Sequence, residues 1–217
     1  YQKAIKNKPD YAQAYYNIGN ALKDKGQLAK AIVNYQKATK IKLDYAQAYN
    51  NLGTALKKKG ELERAIKIYE KAIKVKPLYF EVYYNMGNTF LEMGNLINAI
   101  DCYTEVLKTK PNWPDVHYNK CEAYERFNRL AELSTSIEKA HSTLCPNDPT
   151  ILLYEAILKF RKKLYSDCLT LLDKIQFDGL IPQRQLKFLE IKGKCLHELA
   201  AYKKAFDTFS SMNNIVS

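Results

Sequence analysis

Hydrophobic positions recur along the chain at helical spacing. Tyr15, Ile18, Gly19 and Leu22 fall at i, i+3, i+4 and i+7, one face of a helix of about 3.6 residues per turn. Gly26 breaks that helix and permits a tight turn. Leu28, Ala31, Ile32, Tyr35 and Ala38 then form a second apolar stripe. The pattern predicts two helices joined by a short turn. Small residues at Gly19 and Ala31 let the two backbones approach closely, while Tyr15 and Tyr35 fill the space around them.

This hairpin is repeated. Residues Tyr11 to Asn20 return as Tyr45 to Thr54 and again as Tyr79 to Asn88, at an offset of 34 residues both times. A weaker copy runs from Trp113 to Glu122. Gly26, Gly60 and Gly94 keep the spacing, as do Ala31, Ala65 and Ala99, and Tyr35, Tyr69 and Tyr103. Pro9, Pro77 and Pro111 close the units, with Leu43 where a proline is expected. One such hairpin cannot bury its own apolar faces, so stacking on neighbours must supply the stability.

The run of aromatic, Leu-Gly, Tyr/Leu, Gly, Ala, Tyr, Ala and Pro positions through residues 12 to 111 resembles the tetratricopeptide repeat family. The resemblance implies an all-α, right-handed superhelical solenoid of antiparallel helix pairs. Residues 1–217 are read as a single solenoid. It holds a half repeat at 1–9, regular repeats at 12–45, 46–79 and 80–113, and divergent repeats at 114–148, 149–182 and 183–213. In the fourth unit Cys121 stands for the first glycine, Asn128 for the second and Leu133 for the small alanine. Tyr165 and Cys168 occupy second-helix columns of the fifth, and Gly193, Leu196, Tyr202, Ala205 and Phe209 return to the pattern in the sixth. Tyr1 to Pro9 aligns with Tyr35 to Leu43, a second helix without its partner, and no polar helix seals the array after Met212. The chain is therefore expected to be a fragment of a longer protein, with self-association through uncapped end faces around Tyr1 and Phe209 as a further expectation.

Composition narrows the choices. Apolar residues make up 47% of the 217, enough for a sizeable core. No apolar run approaches the roughly 18–20 residues of a transmembrane helix. Five cysteines form an odd set without a CxxC pair, so a reducing, cytoplasmic setting is expected. The formal charge of +11 is concentrated in residues 1–110, which carry 19 basic and 10 acidic side chains. Those lysines lie mostly at helix ends and on second helices, as Lys40, Lys57, Lys71 and Lys76 do, and read as a solvated outer face. Phosphate binding needs a contiguous basic track, so no nucleic-acid partner is expected.

The candidate chemistry lies on the first helices, off the core stripe. Asn17, Asn51, Asn85 and Asn119 occupy one column, one per repeat. An asparagine amide offers an acceptor and two donor hydrogens, the complement of a peptide group. A row of them at repeat spacing suits an extended chain held by its backbone. Tyr16, Tyr84 and Tyr118 beside them offer flat amphipathic surface, and Asn20, Asn50 and Asn88 complete the candidate peptide-binding set. In the resembled family this face lines the concave groove, and the array resembles the repeat arm of the O-linked N-acetylglucosamine transferases. The same column can also serve hydrogen bonds between near-identical repeats. The column ends at Tyr154 and Ile191.

Catalysis finds no Gly-rich phosphate loop, carboxylate pair or Ser/His/Asp set at readable spacing. His117/Cys121 and His141/Cys145 are i, i+4 pairs that could share zinc, yet packing alone accounts for the first pair. No metal and no cofactor are expected. The sequence thus points to a non-catalytic scaffold for a protein or peptide partner. The alternative is the substrate-targeting arm of a sulfotransferase or glycosyltransferase, suggested by a faint resemblance in Lys203 to Asn213.

Overall fold

A computed structural model describes residues 11–216, and among them there are twelve α-helices and no strand. The expected half repeat at 1–9 lies outside the described residues. The chain divides into two compact units, residues 1–109 and 110–217.

The first unit holds α1 (Ala12–Asp24), α2 (Leu28–Ile41), α3 (Ala46–Lys58), α4 (Leu62–Val75), α5 (Phe80–Glu92) and α6 (Leu96–Thr109). Helices α1 and α2, α3 and α4, and α5 and α6 pack as hairpins, and each hairpin rests on the next through α2 on α3 and α4 on α5. Each turn uses a left-handed glycine: Gly26, Gly60 and Gly94 have φ of 72°, 83° and 76°. At the first turn the Gly26 and Gln27 amides donate back to the carbonyls of Lys23 and Leu22, both at 2.9 Å, which satisfies the helix end.

Inside each hairpin an aromatic ring lies flat against a glycine. A Cβ built on Gly19 would sit 2.5 Å from Cε1 of Tyr35, and one on Gly53 equally close to Tyr69. Tyr35, Tyr69 and Tyr103 are fully buried, as are Ala31, Ala65 and Ala99. The glycine-tyrosine columns of the sequence are thus a single packing contact, repeated.

The second unit holds α7 (Pro114–Arg126), α8 (Leu130–Thr143), α9 (Pro149–Arg161), α10 (Tyr165–Leu172), a 3-10 turn (Phe177–Gly179), α11 (Pro182–Glu198) and α12 (Tyr202–Val216). Its core joins Cys121, Leu133, Ile137, Ile151, Leu153, Ile157, Cys168 and Leu172. Where the earlier repeats pair glycine with tyrosine, this one pairs Cys121 with Ile137: the first side chain grows as the second shrinks, which conserves volume. The left-handed turn persists without glycine at Asn128, Lys163 and Ala200, with φ between 56° and 61°. Gly193 returns to the original solution under the ring of Phe209, 2.6 Å from where its Cβ would be.

Candidate functional site

In the first unit the column residues are half-buried and spent largely on each other. The Asn51 amide nitrogen donates to Asn20 Oδ1 at 2.8 Å and to the Tyr16 hydroxyl at 3.2 Å. Asn20 Oδ1 also accepts from the buried Tyr35 hydroxyl at 2.8 Å, so two donors fill its two lone pairs. One repeat further on, the Asn85 amide donates to Asn50 Oδ1 at 3.0 Å. Asn88 Oδ1 accepts from the Tyr103 hydroxyl at 2.8 Å. Thr54 takes the equivalent position under Tyr69, whose hydroxyl lies 3.4 Å away. Burial holds the Tyr69 phenol at a pKa of about 12 and pushes Tyr35 upward as well, so both stay neutral donors.

Asn17 is used differently. Its Oδ1 accepts from Gln13 Nε2 at 3.0 Å within the same helix, and Gln13 in turn accepts from the Tyr45 hydroxyl at 2.7 Å. The Asn17 amide nitrogen makes no hydrogen bond among the described residues. Conversely, the Oδ1 atoms of Asn51 and Asn85 accept none there. The column therefore keeps the donor group of Asn17 and the acceptor oxygens of Asn51 and Asn85. Tyr16 packs against Tyr45 with ring centroids 5.1 Å apart. Tyr84 is half-buried and engaged with other groups.

Asn119 and Tyr118 belong to the second unit. The Tyr118 hydroxyl donates to Asp148 Oδ2 at 2.5 Å, while Asp148 Oδ1 caps α9 by accepting from the amides of Thr150 and Ile151. Asn119 lines a cleft of about 450 Å³ between α7, α9 and α11, with Tyr154 and Arg184 opposite. Repeat spacing carries no signal for Arg184: α11 has 17 residues against 13 in α1, so Arg184 lies on an extra turn outside the repeat pattern.

The two His/Cys pairs are not brought together. His117 is buried with Nε2 2.6 Å from the Pro111 carbonyl oxygen, and its Nδ1 is buried without a hydrogen-bond partner. Burial lowers its pKa. Cys121 lies against Ser136 at 3.6 Å, His141 against Glu155 at 3.2 Å, and Cys145 is exposed. Among the described residues no group of three or more His, Cys, Asp or Glu is placed to hold a metal ion, and no helix is long and apolar enough to cross a membrane.

A family model described as TPR repeat matches residues 19–60 and 54–94, and two described as tetratricopeptide repeat match residues 80–112 and 1–33. Together they span more than half of the chain. No curated protein matches. Among solved structures, a tetratricopeptide repeat protein from Parabacteroides merdae is similar with a TM-score of 0.81 at 16% identity, over 94% of this chain and 79% of that one. YrrB, described as a TPR protein with an unusual peptide-binding site, gives 0.69 at 19% identity over 93% and 97%. MamA from Desulfovibrio magneticus gives 0.68 at 20% over 75% and 92%. At these identities the likeness shows the fold.

Proposed function

Because the chain belongs to the tetratricopeptide repeat family, a family of protein-interaction scaffolds built from stacked helix pairs, we propose that it holds an extended polypeptide along its first helices without catalysing a reaction. The observation that carries this reading is the division of labour in the asparagine column. Asn51 and Asn85 each use the amide nitrogen to tie one repeat to the one before it and keep the carbonyl oxygen. Two acceptors on successive first helices, with the donor of Asn17 before them, suit the alternating N–H and C=O groups of a peptide backbone. YrrB, similar in fold, is a protein described by its peptide-binding site, and the same class of ligand is proposed for this chain.

Panning displayed random dodecapeptides against the full chain tests the reading. Enrichment of peptides that bind the Asn17→Ala and Asn85→Ala variants at least fivefold more weakly is the expected result. Enrichment with affinity indifferent to both substitutions would place the ligand elsewhere, and no enrichment would remove the peptide reading altogether.

A further inference from the structure

The cleft between α7, α9 and α11 carries chemistry that the asparagine column does not use. One wall is apolar: Leu153 and Ile157 are almost fully buried at 1% exposure each, and Ile181 stands half-exposed at the mouth. Three basic and two acidic side chains line the rest. Arg126 lies 3.7 Å from Glu122, and Lys187 lies 3.9 Å from Glu125, so each acid already has a base beside it.

Arg184 is the base left over. It makes no ion pair among the described residues, although it is half-buried. Its guanidinium sits 4.6 Å from the centre of the Tyr118 ring, and Nη1 is 3.5 Å from Thr150 Oγ1. This contact with the ring face holds the guanidinium in place and leaves N–H donors for a planar acceptor. Asp148, across the Tyr118 ring, is already engaged by the Tyr118 hydroxyl and the α9 cap. Tyr154, buried at 7% exposure, meets the guanidinium with a hydroxyl that burial keeps neutral, so it supplies no counter-charge. A half-buried cation without a counter-ion is costly, and a ligand carboxylate removes that cost.

We propose that this cleft receives an acidic side chain, aspartate or glutamate, of an extended peptide. Arg184 engages the carboxylate through two N–H groups, and an aliphatic neighbour in the peptide rests on Ile181 at the mouth. The inference rests on the polypeptide-scaffold reading and adds a sequence preference to it. Backbone contacts to asparagine do not discriminate between side chains, whereas a single uncompensated arginine beside an apolar wall does.

The same display selection, run in parallel on the full chain and on its Arg184→Gln variant, tests it. The expected result is enrichment, on the unaltered chain only, of peptides with an acidic residue next to an aliphatic one. Circular dichroism melting verifies that the variant is folded. A second measurement needs no variant: fluorescence anisotropy of the best acidic peptide against its amide isostere, with about tenfold weaker binding expected for the amide. Enriched peptides without acidic bias, or equal affinity of acid and amide, overturn the acidic-cleft inference and leave the scaffold reading standing. No enrichment on the unaltered chain overturns both.

Discussion

Asn51 of α3 donates to Asn20 of α1 across 2.8 Å, and Asn20 at the same time receives the buried hydroxyl of Tyr35. A residue that looks from the sequence like a ligand contact is thereby also a tie between consecutive repeats. Replacing it removes two inter-repeat hydrogen bonds and leaves Asn20 with a single donor. Each such bond contributes about 1 kcal/mol, so Asn51→Ala should destabilise the first unit by about 1–2 kcal/mol in urea unfolding. Asn17→Ala, where the one side-chain bond among the described residues is to Gln13 in the same helix, should stay within about 0.5 kcal/mol of the unaltered chain. Equal costs for the two would contradict this division of roles.

The glycine-tyrosine contact makes a sharper demand. Gly53→Ala would place a methyl 2.5 Å from the Tyr69 ring, so one of the two helices must move. Despite the better helix propensity of alanine, a loss of about 1–3 kcal/mol is expected. The fourth repeat supplies the compensation, Cys121 with Ile137. The double variant Gly53→Cys/Tyr69→Ile should therefore be more stable than the sum of its single variants, measured by a double-mutant cycle. Additive losses would mean that the two columns do not share one space.

His117 gives the second unit a pH dependence of known sign. Burial holds its folded pKa below that of the unfolded chain, near the ordinary value of about 6.5. Its neutral ring faces the Pro111 carbonyl, the Thr143 hydroxyl and Lys120, none of which stabilises an added charge enough to offset burial. The unfolded state therefore binds the proton first, and stability falls as pH drops below about 6.5. Thermal melts between pH 8 and 5 should show a larger loss for the unaltered chain than for His117→Gln. Parallel profiles would refute the assignment.

Thiol chemistry should report burial residue by residue. Cys145 is exposed, whereas burial pushes the Cys102 and Cys121 thiols up to about 12. Brief treatment of the native protein with iodoacetamide near pH 7.5, read by peptide mass spectrometry, should label Cys145 first and leave Cys102 and Cys121 unlabelled.

The fold was legible because its signals are local and repeated. Spacing marks Gly19 and Ala31 as the close approach with Tyr35 filling the space around them, and in the structure the Tyr35 ring lies on Gly19 itself. The left-handed turns at Lys163 and Ala200 were less legible, since neither residue favours positive φ and only position in the array demands it. The asparagine column was visible, but which half of each amide is spent was not, because Asn20 and Asn50 lie a full repeat away from their donors. Arg184 was invisible for a plainer reason: it has no counterpart in the repeat, and its place against the Tyr118 ring, without an ion pair among the described residues, exists only once α7, α9 and α11 are brought together.

The most direct test of the central claim is a backbone N-methylation scan of a peptide selected on the full chain. Each amide of the peptide is methylated in turn, and its affinity is measured by fluorescence anisotropy. If Asn51 and Asn85 accept peptide N–H groups, methylation at two separated positions should weaken binding by about tenfold each. One of those losses should vanish when the peptide is measured against Asn85→Ala. A scan in which no methylated amide changes affinity would contradict backbone recognition by the asparagine column.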